Sequence, residues 1–291
     1  MKAIIFGANG QDAFFLNALL EEKGIEVLKV SRYNAPIIGN VSEYKFINDL
    51  IRKNTPEYIF HLAASSSTNH AFLFENNDSI SNGTINILEA VKSVSPNSKV
   101  FLSGSAMQFK NNGNPINEDT IFDASSHYSV ARIHSVYAGR YYREYFGLKV
   151  YVGYFFNHDS ELRSDKHVNK KIINELILIK DGKKSKLVIG DTEVKKEFNF
   201  AGDVVNAIWM LVNQEVIYEA VIGSGLAYSI NEWIKIVCDL LQIDYNKLKI
   251  EKDEKFKSEY KNLVSNPQKI MSIGWKPEVS IKGLAERMLK L

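Results

Sequence analysis

The sequence predicts an α/β fold in which a doubly wound parallel sheet is followed by a smaller C-terminal domain. Three observations support this fold class. Apolar strand-like segments alternate with helix-like segments through the first half of the chain, a glycine-rich turn follows the first strand at Gly7 and Gly10, and the pattern becomes less regular after residue 156. Strands that alternate with helices imply a parallel sheet with helices on both of its faces.

Turn residues separate the predicted elements of the sheet. An apolar strand covers residues 2–6, and Leu16, Leu19 and Leu20 give the helix that follows an apolar face. Gly24 precedes the second strand, and Pro56 precedes the third. We predict further strands over 25–30, 57–62, 98–103 and 148–156, and helices that end at 52 and span 81–94 and 128–146.

The turn between the first strand and the first helix suits a bound pyrophosphate. Gly7 permits a tight turn, Gly10 lets the backbone approach the phosphates, and Ala13 replaces the third glycine of the usual fingerprint. The helix that begins at once offers its N-terminal amides to the anion. We therefore predict a Rossmann-type dinucleotide site, with a glycine-rich turn of another α/β fold as the alternative.

The second half of the chain has shorter predicted elements, over 187–189, 203–212 and 230–241, between polar loops. Ligands of doubly wound folds bind at the carboxyl ends of the strands, where such a region forms a cap. We assign residues 1–156 to a dinucleotide-binding domain and 157–291 mainly to a substrate-binding cap, with returns to the first domain near 190–212.

The composition argues against several classes of function. A formal net charge of +2 is too small to predict a nucleic-acid partner, and no apolar run is long enough for a membrane span. Cys238 is the single cysteine and no Cys/His cluster has metal-ligand spacing, so we expect neither a disulfide nor a metal. Met1 leads directly into a strand instead of a leader, and we expect a cytoplasmic protein.

The end of the second strand indicates which dinucleotide binds. An acid at this position favours NAD, whereas a basic residue accommodates the additional phosphate of NADP. The strand ends in Ser31 and Arg32, which offer a hydroxyl and a planar donor group and no carboxylate. We predict NADP, with NAD as the second choice.

A catalytic group is predicted where the long helix over 128–146 begins. Tyr128 and Arg132 lie four residues apart and so share one helical face, and Ser105 follows the fourth strand. A phenol is a poor base at neutral pH, and a neighbouring cation favours its phenolate form. These residue types suit proton exchange with a hydroxyl or ketone.

Together the motifs resemble the extended short-chain dehydrogenase/reductase family, whose members act on nucleotide sugars. That family carries a Gly-x-x-Gly-x-x-Gly/Ala turn, an Asn/His-Leu-Ala-Ala segment, a Ser/Thr after the fourth strand and Tyr-x-x-x-Lys. The segment His61–Ala64 falls between the glycine turn and Ser105 in the same order. Further segments are similar to the GDP-mannose 4,6-dehydratases and the related GDP-4-keto-6-deoxy-mannose reductases: Gly10–Asp12, Phe156–Ser160, His167–Ile172 and Gly274–Pro277.

The resemblance implies a role for each site residue. Tyr128 is expected to be the acid/base, Ser105 its hydroxyl partner and Arg132 the clamp on the nicotinamide ribose. The cofactor-binding residues are expected to be Gly7, Asn9, Gly10, Gln11, Asp12, Ser31, Arg32, Asp49, Leu50, Leu62, Ala63, Ala64, Tyr128 and Arg132. The substrate-binding residues are expected to be Met107, Asn157, Val168, Lys171 and Lys196.

Two positions of the catalytic group depart from the family pattern. Arg132 replaces the lysine, and arginine keeps the charge but does not readily lose a proton. Met107 stands where the dehydratases carry the glutamate that removes the C5 proton, and a thioether is not a base. We favour an NADP-linked oxidoreductase acting at C4 of a GDP sugar. A GDP-mannose 4,6-dehydratase-type lyase, an epimerase and a catalytically weak cofactor-binding homologue remain alternatives.

Two features concern the substrate nucleotide and the assembly. Lys196 and Phe256 occupy positions where the family has arginines, so phosphate binding relies on single ammonium groups rather than bidentate forks. The predicted helix over 128–146 carries Tyr137, Tyr141 and Tyr145 on a broad apolar face. An aromatic face of this kind suits an interface, and we expect a homodimer, with core packing as the alternative.

Overall fold

The computed structural model describes residues 1–290. Its strands are β1 (Lys2–Phe6), β2 (Glu26–Ser31), β3 (Ile37–Ile38), β4 (Tyr58–His61), β5 (Lys99–Ser105), β6 (Lys149–Phe155), β7 (His158–Asp159), β8 (Leu187–Ile189), β9 (Lys195–Glu197), β10 (Asn199–Phe200), β11 (Glu219–Ile222), β12 (Ala227–Ser229), β13 (Ile250–Lys252) and β14 (Asn262–Leu263). Its α-helices are α1 (Gln11–Glu22), α2 (Tyr44–Asn54), α3 (Leu73–Asn76), α4 (Gly83–Val94), α5 (His127–Phe146), α6 (Val168–Lys180), α7 (Ala201–Val212), α8 (Ile230–Leu241), α9 (Gln268–Ser272) and α10 (Ile281–Leu289).

Seven parallel strands form the central sheet, in the order β11-β6-β5-β4-β1-β2-β3. The chain moves outward from β1 to β3 and then returns across β1 to β4. The direction of winding therefore reverses between β1 and β4, and folds of this class bind ligands at the carboxyl ends of strands at such a point. The predicted doubly wound parallel sheet is confirmed.

Two apolar layers cover the sheet because successive side chains of a strand point to opposite faces. Ile4 belongs to the layer that α2, α4 and α5 cover, whereas Ile5 belongs to the layer that α1 and α7 cover. Both isoleucines are fully buried, which is typical of parallel strands with helices on both sides. These layers hold the carboxyl ends of β1, β4 and β5 in fixed positions.

The C-terminal cap has a hydrophobic core of its own, in which α6, α8 and α10 pack together with β8. Trp233 of α8 is completely buried there, and its indole N–H donates to the carbonyl of Asn169 at 3.3 Å. Burial of a side chain of this size stabilises the cap by roughly 2–3 kcal/mol. The cap therefore positions the start of α6 rigidly beside the sheet.

The boundary between the two regions differs in detail from the prediction. The return to the first domain, predicted near 190–212, is made by α7 and β11 and so extends to Ile222. A second difference precedes α4, where Asn77–Asn82 form a π-helical segment instead of the predicted start of a regular helix. Side chains of this segment reach the candidate site described next.

Candidate active site

The turn between β1 and α1 lies against the segment that follows β4. Gly7 has φ +90°, and a Cβ atom there would lie 2.7 Å from the backbone nitrogen of Ala63. Gly10 is the N-cap of α1, and no side chain caps this helix end. The first amides of α1 therefore have no side-chain partner, which suits an anion at the helix N-terminus.

A cavity of about 330 Å³, here the turn cavity, opens at this helix end. Among its lining residues are those predicted to bind the cofactor: Gly7, Asn9, Gly10, Gln11, Asp12, Ser31, Arg32, Leu62, Ala63 and Ala64. The side-chain amide of Asn9 donates to Ser31 Oγ at 3.0 Å and to the carbonyl of Tyr33 at 2.7 Å. These bonds tie the glycine turn to the end of β2, so that Arg32 stands exposed at the cavity wall.

Four of the residues predicted to bind the cofactor do not line the turn cavity. Tyr128 and Arg132 line the second cavity, which is described below, whereas Asp49 and Leu50 line neither cavity. Asp49 and Leu50 lie within α2, where Asp49 is exposed and Leu50 packs into the apolar layer. Gly39, Asn40 and Val41, which connect β3 to α2, line the cavity instead. The helix begins at Tyr44, and residues 49 and 50 lie more than one turn into it.

Gln11 and Asp12 have a structural role in addition to lining the cavity. Gln11 donates to the carbonyl of His158 at 3.2 Å and accepts from Ser160 Oγ at 2.9 Å. Asp12 Oδ1 lies 2.9 Å from His158 Nε2. Burial acts to raise the pKa of Asp12 and to lower the pKa of His158, but their mutual attraction outweighs burial and shifts both pKa values the other way. The pair is therefore an ion pair that joins α1 to β7.

Ser105, Tyr128 and Arg132 meet at a second cavity of about 720 Å³, here the tyrosine cavity. Arg132 Nε donates to the Tyr128 hydroxyl at 3.2 Å, and Nη1 donates to Ser103 Oγ at 2.7 Å and to the Ser103 carbonyl. Arg132 as a whole is 4% exposed. Ser105, Tyr128 and Arg132 therefore line one and the same cavity.

Arg132 has no carboxylate partner within ion-pair distance among residues 1–290. A buried cation of this kind requires strong acceptors or a nearby anion. The pKa of the neighbouring His61 is lowered to about 4, mainly by burial, and the positive charge of Arg132 adds to this decrease. His61 is therefore neutral at physiological pH, as expected of a core histidine, and the phenol of Tyr128 contacts the guanidinium.

Asn157 and Val168 also line the tyrosine cavity, which continues into a third cavity of about 510 Å³, here the lysine cavity. The two share Val168, and Lys171 and Lys196 line the lysine cavity. Lys196 is 6% exposed, and burial is the main cause that lowers its pKa to about 8. All five residues predicted to bind substrate, Met107 included, therefore line these two connected cavities.

The structure adds residues that the sequence analysis did not select. Arg163 lines both the turn cavity and the tyrosine cavity, and its Nε lies 2.7 Å from Asp159 Oδ1. Tyr260 lies where the tyrosine and lysine cavities join, and burial raises its pKa to about 12. Arg163 lies between the motif segments Phe156–Ser160 and His167–Ile172, and this position was the signal that could have identified it from the sequence. Tyr260 follows a polar loop and gave no such signal.

Two kinds of feature are absent from residues 1–290. No group of three or more His, Cys, Asp or Glu side chains is arranged to hold a metal ion. None of the helices in this range combines the length and the apolar character that a membrane crossing needs.

Comparison with known proteins places this geometry in a family. The model of the family described as GDP-mannose 4,6 dehydratase matches residues 4–288. GDP-mannose 4,6 dehydratase 1 from Arabidopsis thaliana is 27% identical, and the alignment covers 99% of this chain and 88% of the relative.

Two solved structures share the fold over almost the whole chain. RMD from Pseudomonas aeruginosa, complexed with NADPH, has a TM-score of 0.85 at 22% identity and covers 99% of this chain and 96% of its own. UDP-glucose 4-epimerase from Thermus thermophilus, complexed with NAD, has a TM-score of 0.85 at 17% identity and covers 100% and 98%. The match of the family model over nearly all residues shows that the chain belongs to the GDP-mannose 4,6-dehydratase family, within the extended short-chain dehydrogenases/reductases.

Proposed function

We propose that this protein is an NADP-linked oxidoreductase that interconverts a hydroxyl and a ketone at C4 of a GDP sugar. One observation carries the proposal: the tyrosine cavity keeps Tyr128, Ser105 and a buried cation, but Met107 occupies the position at which an elimination would need a base. Transfer of a hydride between C4 and a nicotinamide, with transfer of the hydroxyl proton, requires only the first three groups from the protein. The neighbouring deprotonation at C5 requires a base.

Each residue has a definite task in this reaction. Ser105 Oγ accepts from the backbone N–H of Met107 at 3.2 Å, so its own proton remains available for the oxygen at C4. Ser105 donates a hydrogen bond, Tyr128 exchanges the one transferred proton with that oxygen, and Arg132 holds the phenol from one turn further along α5. The nicotinamide, when bound, supplies or accepts the hydride.

The carboxylates near the tyrosine cavity do not replace the absent base. Two acids line this cavity, Asp12 and Glu259. His158 holds Asp12 in an ion pair at 2.9 Å. Glu259 is exposed and also lines the lysine cavity. Neither carboxylate stands at position 107, where the dehydratase alternative has its base.

The fit of the cofactor rests on the turn cavity. The uncapped end of α1 would hold the pyrophosphate, because its amides point at the site without a competing side chain. Arg32 and Ser31 line the opposite end and supply donors, with no acid in the strand end that would repel an additional phosphate. This arrangement favours NADP over NAD.

The substrate nucleotide is assigned to the lysine cavity. Lys171 and Lys196 supply positive charge for a diphosphate, and the cavity opens directly into the tyrosine cavity. Membership of the GDP-mannose dehydratase family supports guanine as the base.

The direct test uses purified protein with NADP or NAD and the pair GDP-mannose and GDP-6-deoxymannose. Reduced-nicotinamide absorbance reports oxidation, and mass spectrometry identifies the product. We expect NADP-dependent formation of a 4-keto sugar without loss of water, and loss of turnover in Tyr128→Phe. A product that has lost water would instead establish a dehydratase. Tight copurification of the oxidised cofactor with inversion at C4 would establish an epimerase.

A further inference from the structure

The tyrosine cavity and the lysine cavity open into each other through a passage between the cap and the sheet. Its wall consists of the residues that line both cavities: Thr68, Lys166, Val168, Glu259 and Tyr260. These residues come from the segment after β4, from the beginning of α6 with the residues before it, and from the segment before β14. A ligand that occupies both cavities therefore lies against this wall.

Tyr260 has a fixed position in this wall because two apolar cores hold its ring. The partly buried ring packs against the layer of the sheet that α2, α4 and α5 cover and against the core of the cap. The next residue, Lys261, accepts a backbone hydrogen bond from Lys195 at 2.8 Å and so continues the pairing of β14 with β9. The ring of Tyr260 therefore joins the cap to the sheet at the passage.

Two polar groups beside the passage are available to a ligand. The hydroxyl of Tyr260 lies beside the side chain of Asn157, which lines the tyrosine cavity. Burial raises the pKa of Tyr260 to about 12, the charge of Glu259 adds to this increase, and the side chain of Asn157 opposes it. The hydroxyl is therefore protonated at physiological pH and is a hydrogen-bond donor. Asn157 Oδ1 is buried without a hydrogen-bond partner among residues 1–290, which is unusual for a buried polar atom and indicates a ligand donor at this place.

We propose that Tyr260 contacts the phosphoryl group that joins the sugar to the nucleotide, and that this contact makes the site select nucleoside diphosphates over nucleoside monophosphates. The inference rests on the proposed function, because it takes the reacting sugar to lie at Tyr128 and the nucleoside to lie in the lysine cavity. The diphosphate connects these two parts of the substrate, so its phosphoryl group next to the sugar enters the passage. A nucleoside monophosphate ends before the passage and does not reach Tyr260.

Tyr260 is a better placed donor than the charged residues of the wall. Lys166 and Glu259 are exposed and carry opposite charges, so water screens both and their effects on a phosphate oppose each other. The ring of Tyr260 is already ordered by its packing, and a hydrogen bond from its hydroxyl to a phosphoryl oxygen costs little further ordering. Because the acceptor is charged, we expect loss of this hydrogen bond to lower the affinity for a nucleoside diphosphate roughly 10- to 100-fold.

The experiment measures the dissociation constants of GDP and GMP, which differ in the second phosphoryl group, by calorimetry with NADP saturating. The proteins compared are the wild type, Tyr260→Phe and the control Tyr228→Phe. Phenylalanine at position 260 keeps a ring between the two cores and removes the hydroxyl, whereas Tyr228 is a partly buried tyrosine of the cap that lines neither cavity. We expect Tyr260→Phe to lose roughly 10- to 100-fold in affinity for GDP and to keep its affinity for GMP. Tyr228→Phe should bind both nucleotides as the wild type does.

Two results overturn the inference: an affinity for GDP that Tyr260→Phe leaves intact, or a loss of affinity in this variant that is the same for GDP and GMP. Failure of the proposed function is recognised separately, because binding of GDP requires no turnover. A selective loss of GDP affinity in Tyr260→Phe, with no oxidation of a GDP sugar by the wild type, supports the phosphoryl contact and refutes the oxidoreductase assignment. A wild type that binds neither nucleotide overturns both the inference and the assignment of the substrate nucleotide to the lysine cavity.

Discussion

We predict that Lys196 makes substrate affinity depend on pH in a range where few side chains titrate. Its ammonium is almost completely buried in the lysine cavity, and burial is the first cause of a pKa near 8, with Arg163 adding to the decrease and Asp159 opposing it. A lysine with this pKa is roughly nine-tenths protonated at pH 7 and one-tenth protonated at pH 9. If the diphosphate binds only the charged form, KM for the nucleotide sugar rises about tenfold over this interval.

The assay is steady-state kinetics from pH 6 to pH 10 with NADP saturating. We expect KM to rise with pH while kcat is unaffected by the deprotonation of Lys196, because the chemical step does not involve this residue. Lys196→Arg stays charged throughout and removes the rise, because the guanidinium does not lose its proton in this range. Lys196→Met gives a high KM at every pH. A wild-type KM that is flat across pH 8, or a Lys196→Arg profile identical to the wild type, would refute the assignment of the diphosphate to this lysine.

Three other predictions follow from the structure. Gly7 has φ +90°, and an added Cβ would lie 2.7 Å from the Ala63 backbone, whereas Gly24 has φ +70° and no atom within 4 Å of an added Cβ. We expect Gly7→Ala and Gly24→Ala each to lose about 1–2 kcal/mol of stability from backbone strain. We expect Gly7→Ala to lose roughly a further 1–3 kcal/mol from the close contact. Thermal and chemical unfolding measure this, and equal destabilisation would contradict the packing of the turn. Arg32→Ala should lower the affinity for NADP roughly 10- to 100-fold, as measured by calorimetry, and leave the affinity for NAD unchanged. An equal loss of affinity for both cofactors would contradict a contact between Arg32 and the additional phosphate. Tyr141 of α5 is 49% exposed, and we expect Tyr141→Lys to convert a dimer to a monomer, as measured by sedimentation. The control Val216→Lys changes a position that is 86% exposed and should leave the dimer intact. A monomeric wild type would contradict the expected interface.

The sheet was predictable from sequence because its signals are local. The apolar strand before Gly7, the break at Gly24 and the aromatic helix after Ser126 each determine one element, and their order implies the parallel topology. The strand over 187–189 and the helix over 230–241 have the predicted bounds for the same reason.

Which residues line the cavities depends on contacts through space that the sequence does not report. Asp49 and Leu50 lie within α2, whereas Asn40 and Val41, which precede that helix, line the turn cavity. The binding of Gln11 to the segment after β6 spans 147 positions along the chain, and no periodicity reports such a contact.

The catalytic group shows the same division. The identities of Arg132 and Met107 and their departure from the family pattern are evident in the sequence. That the guanidinium contacts Ser103 as well as the phenol, and that Ser105 and Ser129 hold the backbone of Met107, depends on the packing of α5 against β5. The residue types of the catalytic group were therefore predictable from the sequence, whereas the hydrogen-bond partners of each residue were not.

The central claim is that hydride moves at C4 without elimination of water. It is tested most directly with GDP-6-deoxymannose that carries deuterium at C4, incubated with NADP and analysed by mass spectrometry. We predict that the deuterium appears in the reduced nicotinamide and that the sugar becomes a 4-ketone with its remaining atoms intact. Deuterium that stays on the sugar, or no change in either molecule while Tyr128→Phe behaves as the wild type does, would contradict the account.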